Sequence, residues 1–373
     1  MRRTTTYGFV GTLLFAFVSV YLLHTASSFG QGATIPTQEI AVEKTVKPYK
    51  IEEVRIFTKN PDVVLAGTFS KPAGQASFPA VVLLHGSGPN DRDEASAGFA
   101  RRKFLVLADA LNRAGIAVLR YDKRGVGKST GNYSTASFTD FTSDAQAALH
   151  YLKTRSDVAQ EHIGVLGDSE GGYIAPVLAK ADDQIAFLVL VSAPALPYLD
   201  INLLQKASLA RAEGASEAEI SARDRFYRQV FDIVQGASDA QAARDALIVM
   251  AKPLVESGQL SRQEAENGIA GLTSPLGLEL MMFDPQPYLK SLSIPVLVVQ
   301  GGLDRQVPAQ ENLTAMRRLL SRQNATIVEM PALNHQLQKA RTGAPSEYAA
   351  IAETVNADVL RLVTEWVQAQ TRH

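Results

Sequence analysis

Ile163-Gly164-Val165-Leu166-Gly167-Asp168-Ser169-Glu170-Gly171-Gly172-Tyr173 is the stretch on which the reading of this chain turns. A short apolar run, Ile163–Leu166, reads as a strand. It passes directly into a glycine-rich turn, and a helical pattern begins near Tyr173. The turn is G-x-S-x-G, here Gly167-Asp168-Ser169-Glu170-Gly171. On its own that pattern is also a plain glycine-rich turn. Between a strand and a helix it has a mechanical sense: the serine occupies a strained backbone conformation, and bulky side chains two positions to either side would strike the neighbouring strand and helix. The start of the following helix favours negative charge, which an oxyanion intermediate supplies. Ser169 is therefore the candidate nucleophile.

Working outward, the chain alternates short apolar runs with helical patterns. Val54–Phe57 and Val63–Phe69 read as an opening pair of strands joined by Lys59-Asn60-Pro61-Asp62. Ala80–Leu84, Ala117–Tyr121, Ile163–Leu166, Phe187–Val191, Pro295–Gln300 and Ala325–Met330 follow, rich in Val, Ile and Leu and without period-two alternation. Such runs are strands buried on both faces. Helical patterns lie between them, as at Phe104–Ala114 and Phe141–Thr154. The fold class is α/β, a mainly parallel sheet with helices on both sides. Between Ala193 and Pro295 no strand pattern occurs. Ser216…Glu219, Ser238…Gln241 and Ser261…Glu264 mark helix starts there, and Ile220, Tyr227, Val230, Phe231 and Val234 share one helix face. Residues 197–288 are expected to form a helical cap inserted into a sheet domain spanning 51–373. A final helix is expected from about Ser346, with Ile351, Val355, Val359, Leu362 and Trp366 on its inner stripe.

A nucleophilic serine needs a base, and the base needs an orienting acid. The chain has 6 histidines. His24 belongs to the expected amino-terminal export segment, His373 is the last residue, and His150 and His162 read as surface positions before the nucleophile. His85 ends a strand beside a glycine turn, where a bracing role fits best. His335 alone lies in a loop after the last strand, Pro331-Ala332-Leu333-Asn334-His335. Asp304 follows the penultimate strand in Gly301-Gly302-Leu303-Asp304, and Asp284 is its competitor. The oxyanion hole needs two backbone N–H donors. Glu170, after the serine, and Ser87, in the loop His85-Gly86-Ser87-Gly88-Pro89, are the candidates.

Residues from about 51 to 370 resemble the serine-nucleophile α/β-hydrolases, most closely bacterial esterases of the dienelactone-hydrolase and prolyl-oligopeptidase-like branch. The resemblance rests on Leu84-His85-Gly86-Ser87-Gly88-Pro89-Asn90-Asp91-Arg92-Asp93, on Arg120-Tyr121-Asp122-Lys123-Arg124-Gly125-Val126-Gly127-Lys128-Ser129, on the Ser169 turn, and on the Asp304 and His335 loops. The order Ser…Asp…His is that of the family. The resemblance implies the α/β-hydrolase fold, hydrolysis of small-molecule carboxylic esters without cofactor or metal, and a helical lid. Many relatives carry histidine before the nucleophile, whereas this chain has Asp168. A peptidase or aminopeptidase of the same fold is the nearest alternative, and a catalytically idle binding protein is the alternative from another class.

Composition narrows the field further. The chain has 373 residues, 46% hydrophobic, with 37 basic and 38 acidic residues and a net charge of −1. That is the composition of a chain with a sizeable core, and it gives no sign of a nucleic-acid binder. There is no cysteine, which excludes disulfides, thiolate metal sites and a cysteine nucleophile. Gly127-Lys128-Ser129 resembles the tail of a P-loop, but Asp122 stands where its first glycine belongs. Asp91, Asp93 and Glu94 crowd like a cation loop but lack the glycine and downstream glutamate of a calcium hand; ion pairing with Arg92, Arg101 or Arg102 is the expectation. Met281-Met282-Phe283 reads as core, with an acyl pocket as the alternative. At the amino terminus, Met1-Arg2-Arg3 precedes an apolar run to Leu23, with Ala26 and Ser28 placed for cleavage. Residues 1–28 are expected to be a signal peptide or an uncleaved anchor, the sole contact with a membrane, and 29–50 a linker. The catalytic body is then expected outside the cytoplasm. The oligomeric state is not legible.

Overall fold

A computed structural model describes residues 37–74, 77–95, 101–320 and 324–372. The export segment expected at 1–28 lies outside the described residues. Among the described residues no helix is long and apolar enough to cross a membrane.

Among the described residues, eight strands form one sheet: β1 (Tyr49–Phe57), β2 (Val64–Pro72), β3 (Phe78–Leu84), β4 (Ala117–Tyr121), β5 (Val158–Asp168), β6 (Phe187–Val191), β7 (Val296–Gly301) and β8 (Ala325–Met330). Their order is β1-β2-β4-β3-β5-β6-β7-β8. β1 and β2 pair antiparallel, as do β2 and β4, and every other pairing is parallel. The continuous apolar runs have the expected cause, burial on both faces. Ala80, Val82 and Leu84 of β3 belong to a core shared with Phe141, Leu149 and Tyr173. Val81 and Leu83, pointing the other way, join Phe104, Leu111 and Val363. β5 begins before its apolar run because Val158 already pairs with Phe78 of β3, while Gln160, Glu161 and His162 escape full burial and so leave no apolar mark.

Helices cover both faces. α1 (Thr37–Lys44), α2 (Lys103–Arg113), α3 (Phe138–Lys153) and α4 (Gly171–Ala181) precede β6. α1 occupies part of the stretch read as a linker. Polar anchoring holds it, which an apolar-pattern reading does not register: Gln38 bonds the backbone of Thr354 and Val355, and buried Glu39 receives Arg102.

Between β6 and β7 lie α5 (Tyr198–Ala212), α6 (Glu217–Gly236), α7 (Ala240–Glu256), α8 (Arg262–Leu272), α9 (Pro275–Met281) and α10 (Gln286–Lys290). Most of this insertion packs on its own core, including Leu203, Val230, Phe231, Leu247 and Ile269. The Tyr198 N–H donates to the Phe283 carbonyl at 3.0 Å, tying its two ends together. Ser216 and Ser261 close reciprocal capping boxes with Glu219 and Glu264. Ser238 does not cap. Asp239, one residue on, accepts the Ala242 N–H instead, because its carboxylate is a strong acceptor for the helix start.

After α11 (Ala309–Leu319), the last helix, α12 (Ala357–Gln370), begins well after Ser346. A 3₁₀ turn occupies Pro345–Ala350, the chain runs extended at Ile351, and Asn356 caps α12. Val359, Val363 and Val367 form its buried stripe, with Leu362 and Trp366 packed beside it.

Candidate active site

The turn after β5 is as tight as its sequence requires. Ser169 has φ of 50°, a left-handed conformation that strains a non-glycine residue. A Cβ at Gly167 would lie 2.4 Å from the Gly171 carbonyl oxygen, and one at Gly171 would lie 2.3 Å from that of Leu84. No side chain fits at either position, so glycine there is a steric requirement.

Asp304 leaves the carboxyl end of β7 and His335 the loop after β8. Both converge on Ser169, which stands at the same edge of the sheet. His335 Nδ1 lies 2.7 Å from Asp304 Oδ2, and His335 Nε2 lies 3.2 Å from Ser169 Oγ. With the Nδ1–H donating to the carboxylate, Nε2 is left to accept the serine proton. Ser169, Asp304 and His335 are 3%, 2% and 3% exposed. The Gln306 and Val307 N–H groups donate to Asp304 Oδ1, both at 2.8 Å, and the Gln300 amide donates to Oδ2 at 2.8 Å. The Ser192 hydroxyl donates to the His335 carbonyl at 2.9 Å. Asp284 does other work: its carboxylate accepts the Gln286 N–H at the start of α10.

Ser87 and Glu170 also meet here. The Ser87 hydroxyl donates to Glu170 Oε2 at 2.9 Å. Among the described residues, neither backbone N–H is taken by a protein acceptor. His85 is buried between the Phe104 and Tyr121 rings, at centroid distances of 5.2 and 5.1 Å. Burial, then the nearby Lys123 ammonium, pushes its imidazole down to about 3. It is a neutral brace at ordinary pH.

Asp168 and Glu94, whose partners the sequence did not reveal, and Lys103, which sequence reasoning passed over, cluster beside the turn. Asp168 pairs with Lys103 at 2.8 Å, and Glu94 lies 3.8 Å from the same ammonium. Glu94 Oε1 accepts the Gly86 N–H at 2.7 Å. Burial, then the adjacent Asp168 carboxylate, holds Glu94 well above the usual carboxylate range. Burial opposes the Lys103 charge, but Asp168 and Glu94 outweigh it and keep the ammonium above its ordinary value. Lys103 sits in an amphipathic helix with no motif to mark it. Lys123 lay within the family-like Arg120–Ser129 stretch, where its partners were not readable.

The acidic loop is corrected in detail. Asp93 pairs with Arg120 rather than with the neighbouring arginines, and Asp91 Oδ1 accepts the N–H groups of Asp93 and Ala95. Arg92 turns to Asp122 and Glu53, and Arg102 to Glu39 and Glu43. The stretch with the P-loop-like tail closes on a carboxylate: Asp122 accepts the Lys128 N–H, and a Cβ at Gly127 would lie 2.6 Å from Asp122 Oδ2. Met281 is buried in the cap core and Met282 is 70% exposed. Phe283 lies among Phe138, Tyr173 and Tyr288, at centroid distances of 4.6, 5.2 and 5.8 Å. Among the described residues, no group of three or more His, Asp or Glu is arranged to hold a metal ion.

A largely parallel sheet with a strained serine turn after β5, and with an acid and a histidine delivered from the ends of β7 and β8, is the α/β-hydrolase fold. Residues 80–229 match the family model described as serine aminopeptidase, S33. Esterase EstD of Thermotoga maritima is 29% identical over 293 residues, an alignment covering 78% of this chain and 61% of EstD. The chain spans about six tenths of the length of EstD and of YtaP of Bacillus subtilis. Among solved structures, the Pyrococcus furiosus esterase Pf2001 superposes with a TM-score of 0.54 at 18% identity, covering 87% of this chain and 92% of that one. The Pyrococcus horikoshii acylaminoacyl peptidase superposes with a TM-score of 0.50 at 14% identity, covering 89% and 43%.

Proposed function

We propose that this chain is a serine esterase that cleaves small carboxylic esters through an acyl-enzyme. The observation that carries the reading is the continuous Ser169–His335–Asp304 contact at the strained turn. Ser169 Oγ attacks the acyl carbon as its proton passes to His335 Nε2, and the carbonyl π electrons move onto oxygen. The Ser87 and Glu170 N–H groups receive that oxyanion. Collapse expels the alkoxide, which takes the proton from Nε2. Water repeats the sequence, giving its proton to Nε2 and releasing the acid and free Ser169. Asp304 holds the imidazole in the working tautomer and stabilises the imidazolium. The 3.2 Å serine–histidine separation suits a resting site that tightens around substrate. The cap inserted after β6 begins at the same sheet edge as Ser169, which supports its acting as the lid over the acyl or alcohol group.

A peptidase reading draws on the S33 family description. An aminopeptidase needs an unengaged acid to receive the substrate amine. The two carboxylates beside the nucleophile are committed elsewhere: Glu170 to Lys123 and Ser87, Asp168 to Lys103. That favours esters. Purified protein and Ser169→Ala are assayed against short- and long-chain p-nitrophenyl esters and aminoacyl anilides. Ester turnover that disappears with Ser169→Ala, and little turnover of anilides, is expected. Faster turnover of free-amine anilides than of esters would select the peptidase.

A further inference from the structure

The peptide joining Gly86 to Ser87 is held more firmly than an exposed turn needs. The Gly86 N–H donates to Glu94. Its carbonyl accepts the Lys123 ammonium at 2.8 Å and the Asn90 amide at 3.0 Å. In a trans peptide the carbonyl and the following N–H point in opposite directions. Whatever fixes the Gly86 oxygen therefore also aims the Ser87 N–H. Gly86 lies directly against the nucleophile, since a Cβ on it would be 3.4 Å from Ser169 Cβ.

Lys123 does more than hold this one oxygen. Its ammonium also lies 3.2 Å from Glu170 Oε1, while Glu170 Oε2 accepts the Ser87 hydroxyl. One buried cation thus ties together the two residues whose N–H groups form the expected oxyanion hole. The ammonium sits 5.0 Å from the Phe141 ring centroid and 5.9 Å from that of Tyr133, contacts that favour a cation there.

We propose that Lys123 is a positioning residue of the oxyanion hole, clamping the Gly86–Ser87 peptide and Glu170 so that both N–H groups converge beside Ser169. This rests on the hydrolytic reading above. Preorganised donors act on charge that develops in the transition state, so loss of the clamp lowers kcat and leaves KM nearly unchanged. It also weakens discrimination between an ester and its thionoester, whose sulfur is a poor hydrogen-bond acceptor.

The test compares wild type, Lys123→Met and the double variant Lys123→Met/Glu170→Gln, which avoids stranding a buried carboxylate. For each, kcat and KM on an ester, the ester-to-thionoester rate ratio and the melting temperature are measured. The expected result is a kcat loss of about 10–100-fold in the double variant, below the loss of a donor itself, with a smaller ester preference and a folded protein. Wild-type kcat and ester preference in the double variant would overturn the proposal. So would a kcat loss with the ester-to-thionoester ratio intact, which marks a purely structural role. Absence of ester turnover in wild type, or its survival in Ser169→Ala, defeats the hydrolytic reading itself and this inference with it.

Discussion

Asp304 is bonded so that only a carboxylate satisfies its surroundings. Backbone N–H groups of Gln306 and Val307 point at one oxygen, and Gln300 and His335 at the other. An asparagine must direct its NH₂ either at those backbone donors or at Gln300 and the imidazole. The second choice favours the wrong histidine tautomer. Asp304→Asn is expected to lower ester kcat on the order of 10⁴-fold, as in serine-protease triads, while Asp284→Asn stays near wild type. The reverse ranking in steady-state kinetics would move the acid to Asp284. Glu94 allows a separate test through pH. Unfolded, it releases its proton near its ordinary value of 4.5; folded, burial and Asp168 retain that proton to higher pH. The native state then binds more protons over that interval, so the stability contributed by Glu94 is complete below the unfolded value and declines as pH rises through the folded one. Glu94→Gln keeps an acceptor for the Gly86 N–H but does not titrate. Urea midpoints taken at about pH 5 and about pH 9 should fall less for Glu94→Gln than for wild type. Parallel pH profiles would contradict a Glu94 carboxyl held above its ordinary value.

Among the elements, strands were the most legible because burial on both faces leaves a compositional mark: Val296–Gln300 is apolar until its last residue, and β7 covers it. Helix starts were legible where a side chain caps locally, as at Ser216 and Ser261, and misplaced where two candidate caps adjoin, as at Ser238 and Asp239. The start of α12 was set too early because the apolar residues before it continue a helical spacing while the chain runs as a 3₁₀ turn and then extended. The triad residues could be picked out because each follows a strand. The buried ions around them could not, since Lys103–Asp168 and Lys123–Glu170 join residues distant in sequence. Phe283 links the cap's return to α3 and α4 through Phe138 and Tyr173. Phe283→Ala is expected to cost about 2–3 kcal/mol, less than a fully buried phenylalanine because the ring is partly exposed. It should depress turnover of all ester lengths alike. A changed chain-length preference with an unchanged melting temperature would place Phe283 in an acyl pocket instead.

At the scale of the molecule, the sheet brings distant pieces of sequence to one edge. β5, β6, β7 and β8 are consecutive neighbours, so the loops after β5, β7 and β8 open on the same side, where ligands of open α/β sheets bind. The cap leaves from the end of β6, between the strand that carries the serine and the strand that carries the acid. The central claim is that this edge activates Ser169 and no other hydroxyl. Intact-mass and peptide-mapping analysis after treatment with a fluorophosphonate probe tests it most directly. Wild type should gain one adduct, on Ser169, Asp304→Asn should gain it slowly, and Ser169→Ala should gain none. A single-site adduct on another residue, or labelling undiminished in Ser169→Ala, would contradict the account.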